Sequence, residues 1–142
     1  MFSRICWKKT RKRKSWIKDI KSTISWFKEI FKDDFYLEVQ SHADLPEQVV
    51  ANNKIFEIAK EENINVVATC DAHYSRPEHF EGWKSLMLLQ TNFNFGNDVT
   101  NDYYVKSDRE MIELFPDHPE VISNTLLVAS KCEPIQFDTS IK

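Results

Sequence analysis

The sequence predicts an α/β fold with parallel strands, on three observations. Residues 35–40 alternate apolar and polar side chains, as a strand with two unlike faces does. A helical pattern follows, opened by Asp44-Leu45-Pro46-Glu47. Ile64 to Thr69 is then a short β-branched run, suited to a strand covered on both faces. A single crossover helix makes the two strands parallel, so their carboxyl ends share one sheet edge. This βαβ core spans about residues 35–74, with a helical remainder over 77–133.

Residues 1–14 hold a dense basic cluster of Lys8, Lys9, Arg11, Lys12, Arg13 and Lys14 with little periodicity. They read as an arm apart from the domain of residues 15–142, either contacting nucleic-acid phosphate or simply solvated. Charge is distributed unevenly. The net is −3, yet residues 1–32 carry +9 and the remaining 110 carry −12. From Ser15, apolar residues at Trp16, Ile17, Ile20, Ile24, Phe27 and Phe31 mark one face of an amphipathic helix. Such a face packs onto the following strand or lies on a membrane surface.

In the first strand Phe35, Leu37 and Val39 fall on one face, and Tyr36, Glu38, Gln40 and His42 on the other. The next helix is expected to be capped by Asp44, to bury Ala51, Ile55, Ile58 and Ala59, and to stop at Asn63 in the left-handed conformation. After Tyr74, Ser75-Arg76-Pro77 leads into a helix to about Gln90, with Phe80, Trp83, Leu86, Met87 and Leu89 as its apolar content. Residues 91–102 read as a surface loop and 103–106 as a short strand. Ser107-Asp108-Arg109-Glu110 matches a capping box that opens a helix through Phe115. Pro119 fits the first turn of a last helix burying Ile122, Thr125, Leu126 and Ala129, and Pro134 ends it.

Composition narrows the function classes. At 142 residues, 42% hydrophobic and 29% charged, the chain resembles an ordinary one-domain globular protein. It has no apolar run near the roughly 18 residues of a membrane span and no secretory leader pattern, so no membrane partner is expected. Cys6, Cys70 and Cys132 are odd in number and form no Cys-X-X-Cys, which points to a reducing cytoplasm rather than disulfides or a zinc knuckle. With two glycines, neither a phosphate-cradling loop nor a nucleophile elbow can be built.

The sharpest chemistry lies at the predicted strand ends. His42 follows the first strand, and Asp71-Ala72-His73 follows the second. Two imidazoles and a carboxylate suit a hydrolytic divalent ion, here zinc, manganese or magnesium. An extended backbone aims Asp71 and His73 at one side. Glu38, on the strand face of His42, is expected to orient a ligand imidazole. An Asp-X-His alone is a weak motif; its place at a parallel strand end gives it weight. Cys70 is expected to be a buried structural thiol, and His79 and His118 to be surface histidines. No catalytic residue is assigned beyond the ligands.

With those residues in place, the chain resembles the PHP (polymerase and histidinol phosphatase) domain of bacterial DNA polymerase III alpha subunits, from about Ile24 onward. FYLEVQSH looks like that family's strand and metal-binding histidine, and VVATCDAHY like its final Asp-X-His, with Cys70 where Asn is usual. YVKSDREMIELFPDHPEVISNTLLVASKCE follows the family's later phrases. The resemblance implies the last part of a TIM-like (β/α)7 barrel with a carboxyl-terminal helical exit segment, a place in DNA replication, and a metal-dependent phosphoesterase or 3′–5′ exonuclease site.

The departures are equally definite. No His-X-His precedes His42, Trp83 stands where a histidine is usual, and the polymerase palm has no counterpart in this sequence. Two readings follow from the resemblance. In one, a separately encoded amino-terminal piece completes the barrel and a DNA-hydrolysing site. In the other, the chain is a non-catalytic module of the replicative polymerase that docks its other subunits. A gene product with no independent role is the remaining expectation.

Overall fold

The computed structural model describes residues 15–42, 45–91 and 100–137, with backbone alone at 15–18 and 91. The chain divides into two compact units, residues 1–35 and 36–142.

In the first unit, helix α1 (Ser15–Phe31) runs into a 3-10 turn at Lys32–Asp34. Phe27 is its hub. The ring stacks on Phe31 at 6.1 Å and on Phe35 at 5.6 Å, and meets Trp26 edge-on at 4.8 Å. Ile24 is buried as the spacing predicts, whereas Phe31 is half exposed.

The second unit is mixed α/β. Strand β1 (Leu37–Gln40) leads through helix α2 (Pro46–Glu62) to strand β2 (Val66–Thr69). The strands pair in parallel, with Leu37 opposite Val66 and Gln40 opposite Thr69. Both are two residues shorter at their start than the pattern suggested. Among the described residues the sheet has these two strands. They satisfy the βαβ expectation without by themselves making a barrel. Helices α3 (Phe80–Thr91), α4 (Asp108–Leu114) and α5 (Glu120–Ser130) follow.

One sheet face holds the core. Val39, Val66 and Ala68 pack with Ala59 of α2, Val121 of α5 and Phe115, which caps the end of α4. Leu37, Ile55, Phe56, Met111 and Ile122 close around them. The opposite face carries Glu38, Gln40, Val67 and Thr69. A helix-covered face and a polar face agree with the alternation in 35–40, whereas β2, expected to be covered on both faces, has Val67 and Thr69 only half-buried on the second.

Helix α2 begins at Pro46 behind the N-cap Leu45, and Asp44 lies outside the described residues. It ends at Asn63, whose φ of 51° and ψ of 60° are the expected left-handed stop. Its buried face also includes Asn52, absent from the apolar stripe.

The last helix departs from expectation. Val121 is fully buried and Ile122 half-buried, while Leu126 is 73% exposed and Thr125 and Ala129 are exposed too. Only its first turns meet the sheet, and Asn124 Nδ2 donates to Val66 O of β2 at 2.8 Å. The helix stops at Ser130, four residues before Pro134. Residues 103–106 form no strand; Tyr104 makes one isolated parallel bridge to Tyr74.

The capping box of α4 is complete. The Ser107 hydroxyl accepts from Glu110 N–H at 3.4 Å, and the Glu110 carboxylate accepts from Ser107 N–H at 2.8 Å. The Tyr104 hydroxyl donates to the same carboxylate at 2.6 Å. That bond, with those from Ser107, holds Glu110 down to about 2, and the carboxylate in turn pushes Tyr104 up to about 12. Ser107→Ala is expected to cost about 1 kcal/mol of stability at neutral pH, measured by urea unfolding. A folded-state value below the ordinary 4.5 means that the carboxylate stabilises above 4.5 and ceases to as pH falls toward about 2. The gap between wild type and Ser107→Ala therefore narrows over that range; a gap constant with pH would contradict the cap.

Candidate functional site

The polar sheet face builds a connected network that ends at His42. Gln40 Nε2 donates to Glu38 Oε1 and to Thr69 Oγ1, each at 3.1 Å. The Thr69 hydroxyl donates to Glu38 as well. Gln40 Oε1 then meets His42 Nε2 at 3.2 Å. Side chains two apart on a strand share a face but stand roughly 6.6 Å apart along it. Glu38 and His42 are four apart, so Gln40 stands between them. The expected direct contact of Glu38 with a ligand imidazole is replaced by a relay.

Helix α2 fixes the same strand end from behind. Asn52 Nδ2 donates to Gln40 O at 2.7 Å, and Gln48 Nε2 donates to Asn52 Oδ1 at 2.9 Å. His42 follows at once and is buried.

At the end of β2 the chain turns rather than continuing extended. Asp71 has φ 45°, a left-handed conformation that Asp tolerates better than most residues. The alternation that was to aim Asp71 and His73 together is therefore interrupted. Instead His73 Nδ1 lies 2.6 Å from the Asp71 carbonyl oxygen, which orients the ring. Both residues are exposed.

Tyr103 brings the two strand ends together. Its ring stacks on His42 at 4.9 Å and meets His73 edge-on at 5.2 Å. Trp83 of α3 stacks on Tyr103 at 6.2 Å and meets His73 at 5.6 Å. Main-chain bonds anchor the segment, with His73 N–H donating to Tyr103 O at 2.7 Å and Val105 N–H to Tyr74 O at 3.2 Å. His42 and His73 thus share one aromatic neighbour, as parallel strand ends allow.

Asp102 and Lys106 complete the surroundings. Lys106 Nζ stands 3.0 Å from Asp102 Oδ1, its side chain only 4% exposed. Asp102 Oδ2 lies 3.8 Å from His42 Nδ1. That nitrogen is buried and has no hydrogen-bond partner among the described residues. Asp102, Tyr104 and Lys106 also line an open pocket of about 210 Å³ with Glu110, Glu113 and Leu114.

Among the described residues, no three His, Cys, Asp or Glu side chains gather closely enough to hold one ion. The donor set fits a divalent ion as part of a site. His42 Nδ1 is a buried nitrogen with no hydrogen-bond partner among the described residues, and the His73 ring is held by a carbonyl in the way a ligand imidazole would need. Asp102, Tyr103 and Gln40 carried no motif in the sequence. Cys70 is half-buried and unpaired by disulfide. His118 is more than a surface group, since it stacks on Phe56 at 3.6 Å. Residues 1–14, with the basic cluster, lie outside the described residues. No described helix is long and apolar enough to cross a membrane.

No family model matches the chain. Individual proteins do. The DNA polymerase III subunit alpha of Borreliella burgdorferi is 34% identical over 84% of this chain, and that of Campylobacter jejuni 35% identical over 79%. The Aquifex aeolicus subunit reaches 46% identity over 52% of the chain. The matched part is 11%, 10% and 6% of those three proteins, so this chain spans about a tenth of their length or less. Over some four fifths of its residues, the chain is therefore related to a segment of the bacterial DNA polymerase III alpha subunit.

Proposed function

We propose that this chain acts in DNA replication as a PHP-type segment of a replicative polymerase, supplying one side of a metal-dependent phosphoesterase site. The observation that carries the reading is the meeting of His42 and His73 at Tyr103, beyond the ends of two adjacent parallel strands. His42, Asp71 and His73 would hold zinc, manganese or magnesium together with ligands from a separately encoded amino-terminal PHP piece. An ion so held supplies an activated water or neutralises a phosphoryl oxygen. The chain's own residues orient the donors: Gln40 fixes His42, and the Asp71 carbonyl fixes His73. In this reading DNA is the substrate, and the other strands of a (β/α)7 barrel cover the polar face.

Metal content of the chain joined to an amino-terminal PHP piece from a related subunit tests this. His42→Ala and Asp71→Asn are each expected to lower bound metal, and His73→Ala to abolish any metal-dependent 3′–5′ exonuclease activity of the joined protein. Full metal in both variants would remove these residues as ligands.

Exposed apolar side chains favour a second reading, a non-catalytic docking module. Leu89 of α3 is 80% exposed and Leu126 of α5 is 73% exposed, and Ile135 and Phe137 beyond α5 are open too. Exposed large apolar side chains are what a partner surface would cover, here that of another polymerase subunit. In that case the joined protein forms without nuclease activity.

A further inference from the structure

Helix α1 presents large apolar side chains to solvent. Trp26 is 56% exposed, Ile30 51% and Phe31 50%. Trp26 and Ile30 are one helical turn apart, and so neighbours on the helix surface. Phe27 joins them to the stacked rings, edge-on to Trp26 at 4.8 Å and stacked on Phe31 at 6.1 Å. Ile20, Ile24, Phe27 and Phe31 continue the apolar side along the helix. Lys21 and Lys28 fall along one border of that side, and Trp26 and Ile30 along the other.

Charge decides what covers this face. Residues 1–32 carry a net +9, and Lys8, Lys9, Arg11, Lys12, Arg13 and Lys14 stand immediately before the helix. A second copy of the same helix would bring +9 against +9. Nucleic-acid phosphate would answer the charge but leave Trp26 and Ile30 in water. An anionic bilayer answers both. Its headgroups attract Lys and Arg, and its acyl boundary takes the apolar side chains, with Trp favoured at that depth. The expectation of no membrane partner rested on spanning and leader segments alone. A helix lying in the plane of the interface needs neither.

We propose that α1 lies on a membrane surface rich in anionic phospholipid, with Trp26, Ile30 and Phe31 at the acyl boundary and the basic residues of 1–32 on the headgroups. The proposal is independent of the metal-site reading above. Residues 33–142 carry −12, which the same surface repels. Attachment is therefore reversible, and it weakens as salt screens the exposed charges.

Co-flotation of the full chain with vesicles of equimolar phosphatidylglycerol and phosphatidylcholine tests this, with phosphatidylcholine alone as the neutral comparison. The chain is expected to bind the anionic vesicles about tenfold or more tightly than the neutral ones in about 0.1 M salt, and to be released in about 1 M salt. Trp26→Ser combined with Ile30→Ser should weaken binding to the anionic vesicles about tenfold or more. Both side chains are more than half exposed, so the circular dichroism of this double variant should match wild type. Replacing the six basic residues of 8–14 by Gln should abolish the preference for anionic lipid. Failure of the wild type to float, equal binding to both lipids, or undiminished binding by the double variant would each overturn the proposal. So would a wild-type oligomer that the double variant dissolves, in a chain that does not float, which would give the face to a second copy. DNA binding lost in the double variant, again without flotation, would give it to nucleic acid. The comparison of lipids is made on the wild type, so it does not depend on any variant folding.

Discussion

Phe115→Ala is expected to lower the unfolding free energy of the α/β unit by about 3–5 kcal/mol, seen as a lower urea midpoint at unchanged slope. Phe115 is 6% exposed and is the largest side chain in a cluster otherwise made of Val39, Ala59, Val66, Ala68 and Val121. Removing the ring leaves a cavity that three valines and two alanines cannot fill. The residue also ends α4, with its N–H donating to Ile112 O at 3.3 Å, and so pins that helix to the sheet. Domains of this size are stable by only about 5–15 kcal/mol, which makes the loss a large share of the whole. Phe115→Leu, which retains most of the volume, should cost markedly less. A loss below about 1 kcal/mol for the alanine variant would mean that α4 and its cap do not pack on the strands in solution.

The parts of this fold that were legible in the sequence are those governed by local rules. Alternation at 35–40 and the apolar run at 64–69 marked the two strands, although β2 shares the one-sided core of β1 instead of being covered on both faces, and Asn63 and the Ser107 capping box marked helix ends through their own hydrogen bonds. The face of α5 was illegible for a physical reason. Val121, Ile122, Leu126, Leu127, Val128 and Ala129 surround the helix with apolar side chains, so periodicity cannot choose a side. The choice is made by contact in the first two turns alone, through Val121 and the Asn124 bond to Val66.

Site residues divide in the same way. His42 and His73 were singled out because functional groups gather at strand ends in parallel sheets, and both rings lie against Tyr103. Tyr103 and Asp102 lie far along the chain from His42, and no spacing rule ties a residue at 102 to one at 42. Glu38 reaches His42 only through Gln40, an intervening side chain on the same face. The common aim of Asp71 and His73 was argued from a two-residue period that the positive φ of Asp71 interrupts after β2.

The link between core and site runs through Asn52, and its replacement should be felt at both. Asn52 is 8% exposed, yet it sits on the inner side of α2 where an apolar residue would ordinarily pack. Its amide satisfies Gln40 O at 2.7 Å, a carbonyl at the very end of β1, and its own oxygen is satisfied by Gln48. Asn52→Leu keeps the volume and takes the Asn52 donor from that partly buried carbonyl, at a cost of about 1–3 kcal/mol. Gln48→Ala should cost much less, because Gln48 serves only Asn52. In the double variant the two losses should not add, since removing Asn52 leaves Gln48 nothing to hold. The same Asn52→Leu change frees the strand end that carries His42, so the His42 Nε2 contact with Gln40 should weaken, seen as a shift of the His42 ring resonances by NMR. Additive losses would show that the two amides act independently, and an undisturbed His42 would show that the strand end is held by the sheet alone.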